Sequence, residues 1–273
     1  MQYLYDADVA LLLGGDGTVH RHLPEIIQRK LPFLVVPGGS GNDFASSIGI
    51  HSRRHALKAW EAFCTSQQNV ALIDVGMLQQ ASYNNPQQTT DTYFCCSAYL
   101  GLDAATNALA NRLPRFVRAH GGYILSLFPT LLRFGTQRVL IRDRDGNVLL
   151  SEDSMLTCFA NTPRYGHGLR IAPRALLNDG QLDLCFVRRI SKPTLLALFS
   201  LVYWGKHQRL PFVAMERGRY FQVQTKTSVD VFADGEYVAQ TPVDISILPS
   251  ALSVIVPPGS PLLTRKSEAN SLL

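Results

Sequence analysis

The sequence has no long block of lysine and arginine, no Cys-x-x-Cys pair, and no apolar run of the ~18 residues needed to cross a bilayer. The missing basic block, with no interleaved basic–aromatic repeat, argues against a nucleic-acid partner. The five cysteines, Cys64, Cys95, Cys96, Cys158 and Cys185, are odd in number and mostly lie in apolar, strand-like runs. That pattern opposes a disulfide framework or a zinc site and suits reduced, buried thiols in a cytoplasmic setting. The seven histidines show no metal-ligand spacing, and His20 and His22 flank Arg21 on what reads as a solvated helix face. The first residues lack the basic start and apolar core of a secretory signal. No internal repeat and no low-complexity segment stands out.

What is present suits a globular protein with a sizeable core. There are 273 residues, 46% hydrophobic and 17% charged, enough for one large or two modest domains. The net charge of +5 fits binding of ATP or an anionic membrane surface.

The chain is organised around Ala10–Thr18, where an apolar run breaks into Gly14-Gly15-Asp16-Gly17-Thr18. Val9–Leu13 reads as a buried strand, and His20–Lys30 as a helix that tolerates Pro24 only in its first turn. A glycine-rich turn between strand and helix leaves backbone N–H groups free for phosphate oxygens. Asp16 adds a negative charge there, which makes sense if magnesium bridges it to a phosphate. A tight turn without a ligand is the plainer alternative. Phe33–Val36 is a second strand, ending in Pro37-Gly38-Gly39-Ser40-Gly41-Asn42-Asp43. A helix from Asn42 or Asp43 to about Gly49 follows. Strand–loop–helix twice over predicts a parallel α/β sheet, with both glycine turns lining one cleft beyond the strand ends.

Residues 53–66 read as a helix with Ala56, Leu57, Trp60 and Phe63 on one stripe. Beyond residue 67 the character is mainly antiparallel β. Strands are expected at 70–76, 93–99, 182–187, 220–224, 229–232, 243–248 and 252–256. A hairpin loop is expected over Gln79–Asp91, containing Asn84-Asn85-Pro86, and a turn at Asp145-Gly146. Helices are expected near 104–113, 116–133 and 193–206. The last two carry apolar runs, Tyr123–Phe128 and Leu195–Phe199. Basic residues flank them: Arg115, Arg118 and Arg133 for one, Arg188, Arg189, Lys192 and Lys206 for the other. Packing on the sheet is one reading of these runs; contact with anionic lipid is the other. The fold class is therefore an α/β nucleotide-binding domain over 1–66, followed by a mainly antiparallel, β-sandwich-like domain with helices over 67–273.

Gly14–Thr18 resembles the nucleotide-binding signature of the diacylglycerol kinase catalytic domain family, which includes bacterial lipid kinases and is related to sphingosine and ceramide kinases. The stretch Pro37–Ala45 resembles that family's second loop, and Ile73–Gly76 its interdomain carboxylate segment. Asn178–Asp183 resembles its metal loop, and Gly205-Lys206-His207 and Ala233–Glu236 fit its C-terminal half. The resemblance implies an ATP-dependent, magnesium-dependent lipid kinase. Gly14, Gly15, Gly17 and Thr18 would hold ATP phosphates, with Ser40 where the family usually has threonine. Asp16, Asp43 and Asp74 would form an acidic network positioning magnesium and nucleotide. Asp179 would anchor a structural magnesium with carbonyls near Leu176 and Gln181. Glu236 would be the general base. The implied partners are ATP, a lipid substrate and, peripherally, a membrane surface, with a homodimer compatible. The family has ~50 further residues before its first glycine loop. Their absence here would remove at least one strand, so the nucleotide unit is expected to be shortened. Val19-His20-Arg21 stands where the family often has Asn-Glu after the threonine, and His167 interrupts a frequent glycine run. The alternatives are an NAD-kinase-like enzyme of a soluble substrate and a catalytically inactive lipid-binding homologue. On its own, Asp234-Gly235 reads as an ordinary hairpin turn followed by an exposed glutamate.

Overall fold

The computed structural model describes residues 7–81, 89–113, 122–166 and 168–264. Strand β1 (Ala10–Gly14) leads into helix α1 (Asp16–Arg29), strand β2 (Phe33–Pro37) and helices α2 (Asp43–Ser47) and α3 (Arg53–Ser66). β1 and β2 pair in parallel, Ala10 opposite Phe33 and Gly14 opposite Pro37, so both glycine turns leave the sheet at one edge.

Helix α1 buries Val19, Leu23 and Ile26, one stripe at helical spacing. It starts four residues before the expected His20, because the carbonyl of Gly15 accepts the N–H groups of Thr18 and Val19 at 2.9 and 3.2 Å. Pro24 therefore lies inside the helix rather than in its first turn. It sits on the exposed side, where water can serve the carbonyl that a proline leaves without a donor. β1 is not the fully buried strand its composition suggested. Ala10 and Leu12 face the core, whereas Leu11 and Leu13 are 55% and 68% exposed. Successive side chains of a strand point to opposite faces, and the face carrying Leu11 and Leu13 is uncovered among the described residues. In α3 the buried stripe is Ala56 and Ala59, with Trp60 and Phe63 packed beside them; Leu57 faces solvent.

The remaining strands are β3 (Val70–Ala81), β4 (Thr89–Phe94), β5 (Ser97–Gly101), β6 (Gln137–Arg142), β7 (Val148–Ala160), β8 (Leu182–Arg188), β9 (Val213–Gly218), β10 (Tyr220–Thr225), β11 (Asp230–Ala233), β12 (Glu236–Gln240) and β13 (Val243–Ile255). Helices α4 (Leu102–Ala110), α5 (Gly122–Arg133), α6 (Lys192–Leu198) and α7 (Ser200–Tyr203) interrupt them. The backbone of the sheet runs β1-β2-β13-β10-β6-β7-β5-β11-β12, with β3 and β4 beside β13 and with β8 and β9 beside β7. Strand β13 joins the two regions. Its first half pairs with β10 and its second half meets β2 in parallel at Val254–Phe33, with a register shift between Leu248 and Leu252. The two strands expected at 243–248 and 252–256 are thus one strand bent at an irregularity.

Three apolar cores follow. One lies under α1–α3 and takes Leu252, Val254, Ile255 and Val256 from the far end of the chain. A second fills the folded antiparallel sheet, where Phe159 of β7 meets Phe221 of β10 with ring centroids 5.2 Å apart. A third lies between the sheet and helices α4, α5 and α6. The expected strand over 93–99 breaks at Cys95-Cys96, for a reason that belongs to the site. The expected helix over 193–206 is split into α6, α7 and a 3-10 turn at Lys206–Arg209, with Gly205 at φ 67°. The expected 79–91 loop is narrowed from both sides by β3 and β4. Asn84, Asn85, Pro86, Arg115, Arg118, His167 and the last nine residues lie outside the described residues.

Candidate active site

The two glycine turns touch through their backbones. Gly38 N–H donates to the carbonyl of Gly14 at 2.9 Å. A Cβ on Gly39 would stand 2.6 Å from Gly15 Cα, and one on Gly15 would stand 2.9 Å from Gly39 Cα. Only residues without side chains permit that approach. Thr18 folds back over Gly14, where an added Cβ would meet the threonine side chain at 2.2 Å.

Asp16 ties the turns together. Its Oδ1 accepts the N–H of Phe44 at 2.9 Å and its Oδ2 that of Asp43 at 3.1 Å, so it caps the first turn of α2. Burial pushes the pKa of Asp16 up to about 6; the two amides oppose the rise, and the Asp43 and Asp234 carboxylates add to it. Asp43 is buried and accepts the N–H of Gly168 at 3.1 Å.

The third wall comes from the hairpin between β11 and β12. Asp234 (φ 49°) and Gly235 (φ 93°) form a two-residue turn, and Ala233 pairs with Glu236 across it. The Asp234 carboxylate accepts the N–H groups of Cys95, Cys96 and Ser97 at 2.7, 2.8 and 3.1 Å. Those three donors are then unavailable to a strand ladder, which is why β4 and β5 are separate. Glu236 follows the turn, exposed to the cleft; a Cβ on Gly17 would lie 3.0 Å from its Oε1. Its carboxylate therefore stands over the first turn of α1, the positive end of that helix. His20 Nδ1 is 3.7 Å from Asp234 Oδ2, an ion-pair separation. Burial resists charge on His20, but Asp234 and the nearby Glu236 outweigh it and raise its pKa.

Together these walls enclose a cleft of about 620 Å³, within the usual range for small-molecule sites. Gly14, Gly15, Asp16, Gly17, Thr18, Ser40, Asp43 and Glu236 all line it. Asp74, Asp179, Leu176 and Gln181 do not; they form a second cluster behind it. Asp74 is buried, and its oxygens accept Ser250 N–H at 2.8 Å and Gly180 N–H at 2.6 Å. Asp179 accepts Gln181 N–H at 3.1 Å and pairs with Arg217, which also reaches Asp183 at 3.3 Å. Burial raises the pKa values of Asp74 and Asp183, and Asp179 adds to both. The second oxygen of Asp183 is buried without a hydrogen-bond partner. Arg217 faces Asp179 and Asp183, while Arg219 acts on Asp74; among the described residues no three His, Cys, Asp or Glu side chains are grouped so as to hold a metal ion.

Asn161, fully buried, links the clusters. Its Nδ2 donates to the carbonyls of Asp74 and Cys95, both at 2.9 Å, and Cys95 N–H reaches Asp234. Sequence reasoning missed Asn161 and the structural load on Asp234. No motif marks a buried asparagine, and the turn preference of Asp-Gly masked the second residue. Tyr99, Asn107, Tyr165 and Arg21 were also not anticipated as lining residues.

A narrow apolar cavity adjoins the cleft, bounded by α4, α5, α6 and α7 against β7 and β8. Tyr165 lines both spaces. Around it, Leu125, Phe128, Leu132, Leu196 and Trp204 are exposed, with Lys192 beside them donating to the carbonyl of Leu132 at 2.6 Å. No helix among the described residues is long and apolar enough to cross a membrane.

Residues 96–256 match the model of the YegS C-terminal NAD kinase beta sandwich-like domain, and residues 2–78 that of the diacylglycerol kinase catalytic domain. The chain is 29% identical over 258 residues to a diacylglycerol kinase of Mycobacterium tuberculosis, covering 92% of this chain and 77% of that one. It is 26% identical over 257 residues to the probable lipid kinase YegS of Escherichia coli, covering 92% and 78%. In fold, it resembles the crystal structure of a putative diacylglycerol kinase from Bacillus anthracis. The TM-score is 0.72 at 21% identity, covering 95% of this chain and 80% of that one.

Proposed function

Because the chain belongs to the lipid-kinase family that joins a diacylglycerol kinase catalytic domain to a YegS C-terminal beta sandwich-like domain, we propose that it transfers the γ-phosphoryl group of ATP to a hydroxyl of diacylglycerol or a similar lipid. The observation that carries this reading is the junction: a glycine-walled polar cleft holding one exposed carboxylate, meeting an apolar cavity at Tyr165.

In this reading the free amides of the two glycine turns and the start of α1 receive the phosphates, and Thr18 and Ser40 add hydroxyls. Glu236 accepts the proton of the lipid hydroxyl as its oxygen attacks the γ-phosphorus, and ADP leaves. Asp16 and Asp43 place the nucleotide and its magnesium, and Asp74, off the cleft, braces the backbone behind them through Gly180 and Ser250. The raised pKa of Asp16 beside Asp43 is what an added cation would relieve. Magnesium, when bound, neutralises charge on the transferring phosphoryl group. Asp179 with the carbonyls of Leu176 and Gln181 would hold a second, structural ion. The division between the two units falls near residue 67, where α/β alternation gives way to antiparallel strands. The apolar cavity measures about 60 Å³, so the acceptor's hydrocarbon part would enter it only as the surrounding helices part, and the exposed apolar residues around it rest on a membrane surface.

An enzyme acting on a soluble substrate would have no use for that cavity, which favours the lipid reading over a soluble-substrate kinase. The test is transfer of labelled γ-phosphate to a lipid panel in mixed micelles. Label should appear in lipid, and Glu236→Gln should reduce turnover by roughly 100-fold or more. Near-normal turnover in that variant would remove Glu236 as the base. Absence of label from every lipid would remove the kinase reading in favour of an inactive lipid-binding protein.

A further inference from the structure

The apolar cavity is walled mainly by leucine, isoleucine, valine and phenylalanine, yet it contains a carboxylate. Asp103, in the first turn of α4, is 3% exposed, and Tyr165 is 5% exposed. The Tyr165 hydroxyl donates to Asp103 Oδ2 in a short hydrogen bond. That bond commits the single phenolic proton to Asp103. Toward a ligand, the phenol oxygen then offers lone pairs and no donor. Tyr165 also lines the cleft containing Glu236, so its ring stands between the two spaces.

We infer that Tyr165, polarised by Asp103, selects acceptor lipids that carry a second hydrogen-bond donor beside the hydroxyl that is phosphorylated. This rests on the lipid-kinase reading and deepens it. The reacting hydroxyl must direct its own proton to Glu236, so it cannot also donate to Tyr165. A diacylglycerol has one free hydroxyl; its two esters only accept. A monoacylglycerol has a second free hydroxyl, and an N-acylated amino-alcohol lipid has an amide N–H. Either places a donor next to the reacting carbon, where an acceptor-only phenol at the mouth of the cavity can receive it. Tyr165 would touch the acceptor, whereas Asp103 is a positioning residue that acts through Tyr165.

The test compares mono-oleoylglycerol with dioleoylglycerol as acceptors in mixed micelles, for the unaltered protein, Tyr165→Phe and Asp103→Asn. The unaltered protein is expected to favour the monoacyl lipid in kcat/KM by about tenfold, the worth of one hydrogen bond. Tyr165→Phe should bring that ratio close to one, mainly by raising KM for the monoacyl lipid, with KM for ATP unchanged. Asp103→Asn should reduce the ratio while shifting the pH profile little, because the pair acts by geometry rather than by titration. A general packing defect would weaken both lipids alike, and melting curves identify a variant that fails to fold. If Asp103→Asn melts early, Tyr165→Phe alone decides the matter. An unaltered protein that labels both lipids with no preference, or a preference that survives Tyr165→Phe, overturns the inference and leaves the kinase reading intact. Labelling of neither lipid instead removes the kinase reading.

Discussion

Asp16 carries two loads that oppose each other. It holds α2 against the first glycine turn through two amides, and it does so where burial and Asp43 penalise its charge. With a pKa near 6, much of Asp16 is protonated in the free protein below that pH. Magnesium–nucleotide binding would select the ionised form. Affinity should therefore fall as pH drops through about 6, approaching tenfold per pH unit below it, with a proton released on binding. Titration calorimetry in buffers of different ionisation enthalpy would read that proton; none released at about pH 5.5 would contradict the assignment. His20 acts in a higher window. Its pKa is raised above the ordinary 6.5, so its contribution to stability is present below that pH and is lost as pH rises through the folded value. His20→Gln should lower Tm below about pH 6.5 and leave the alkaline side unchanged, so the decline of Tm above pH 6.5 flattens. Gly39→Ala should be more damaging than either, because its Cβ meets Gly15 backbone rather than a side-chain tip that can move. Nucleotide binding is expected to be lost, as measured by fluorescent-nucleotide displacement.

At the scale of elements, α2 is the clearest case of dependence on a distant residue. Five residues are too few for a helix to stand alone, and Asn42, in the left-handed region, gives it no side-chain cap. Asp16, 27 residues earlier, supplies the cap. The sequence showed that a helix follows the second glycine loop but not what holds it, because capping across loops leaves no local spacing to read. The same limit explains β4 and β5, whose apolar run reads as one strand until the Asp234 carboxylate takes three of its amides. Elements whose cause is local, such as α3 behind Ser52 or the Asp145-Gly146 turn, were legible to the residue. The glycine loops and Glu236, which the resemblance implies as site residues, lie on one cleft. Asp179 is not on that cleft, and Asn161 carried no mark. β1 shows a further limit, since an apolar strand does not reveal whether both faces are covered. Its exposed Leu11 lies on the strand that ends the sheet order among the described residues. Leu11→Lys should therefore cost less than about 0.5 kcal/mol and reduce self-association in sedimentation velocity. A large loss of stability would mean that the outer face of β1 is covered in solution.

Across the whole molecule, the two carboxylate clusters are coupled by covalent return and by hydrogen bonds. Strand β13 returns to the first sheet, and its Ser250 N–H holds Asp74. Asp74 is joined through Asn161 to Cys95, and Cys95 to the hairpin that presents Glu236. This chain of hydrogen bonds predicts that the loop of Asp179 influences the position of Glu236, a carboxylate it does not touch. Asn161→Ala would leave two buried carbonyls without their side-chain donor, at a cost of about 2 kcal/mol or more. Because the hairpin is tied at one end of that path, kcat should fall more than tenfold while KM for ATP changes little, since the glycine turns are held separately by Asp16 and by their own backbone contact. The same path predicts the response to chelation. If a cation beside Asp179 balances the crowded carboxylates, EDTA should lower Tm of the unaltered protein, and magnesium should restore it. In Asp179→Asn, which removes one of the repelling charges, the EDTA shift should shrink. An unaltered Tm in EDTA would mean that Arg217, Arg219 and Arg174 balance the cluster, and the loss of kcat in Asn161→Ala would then have to come from the hairpin side of the path.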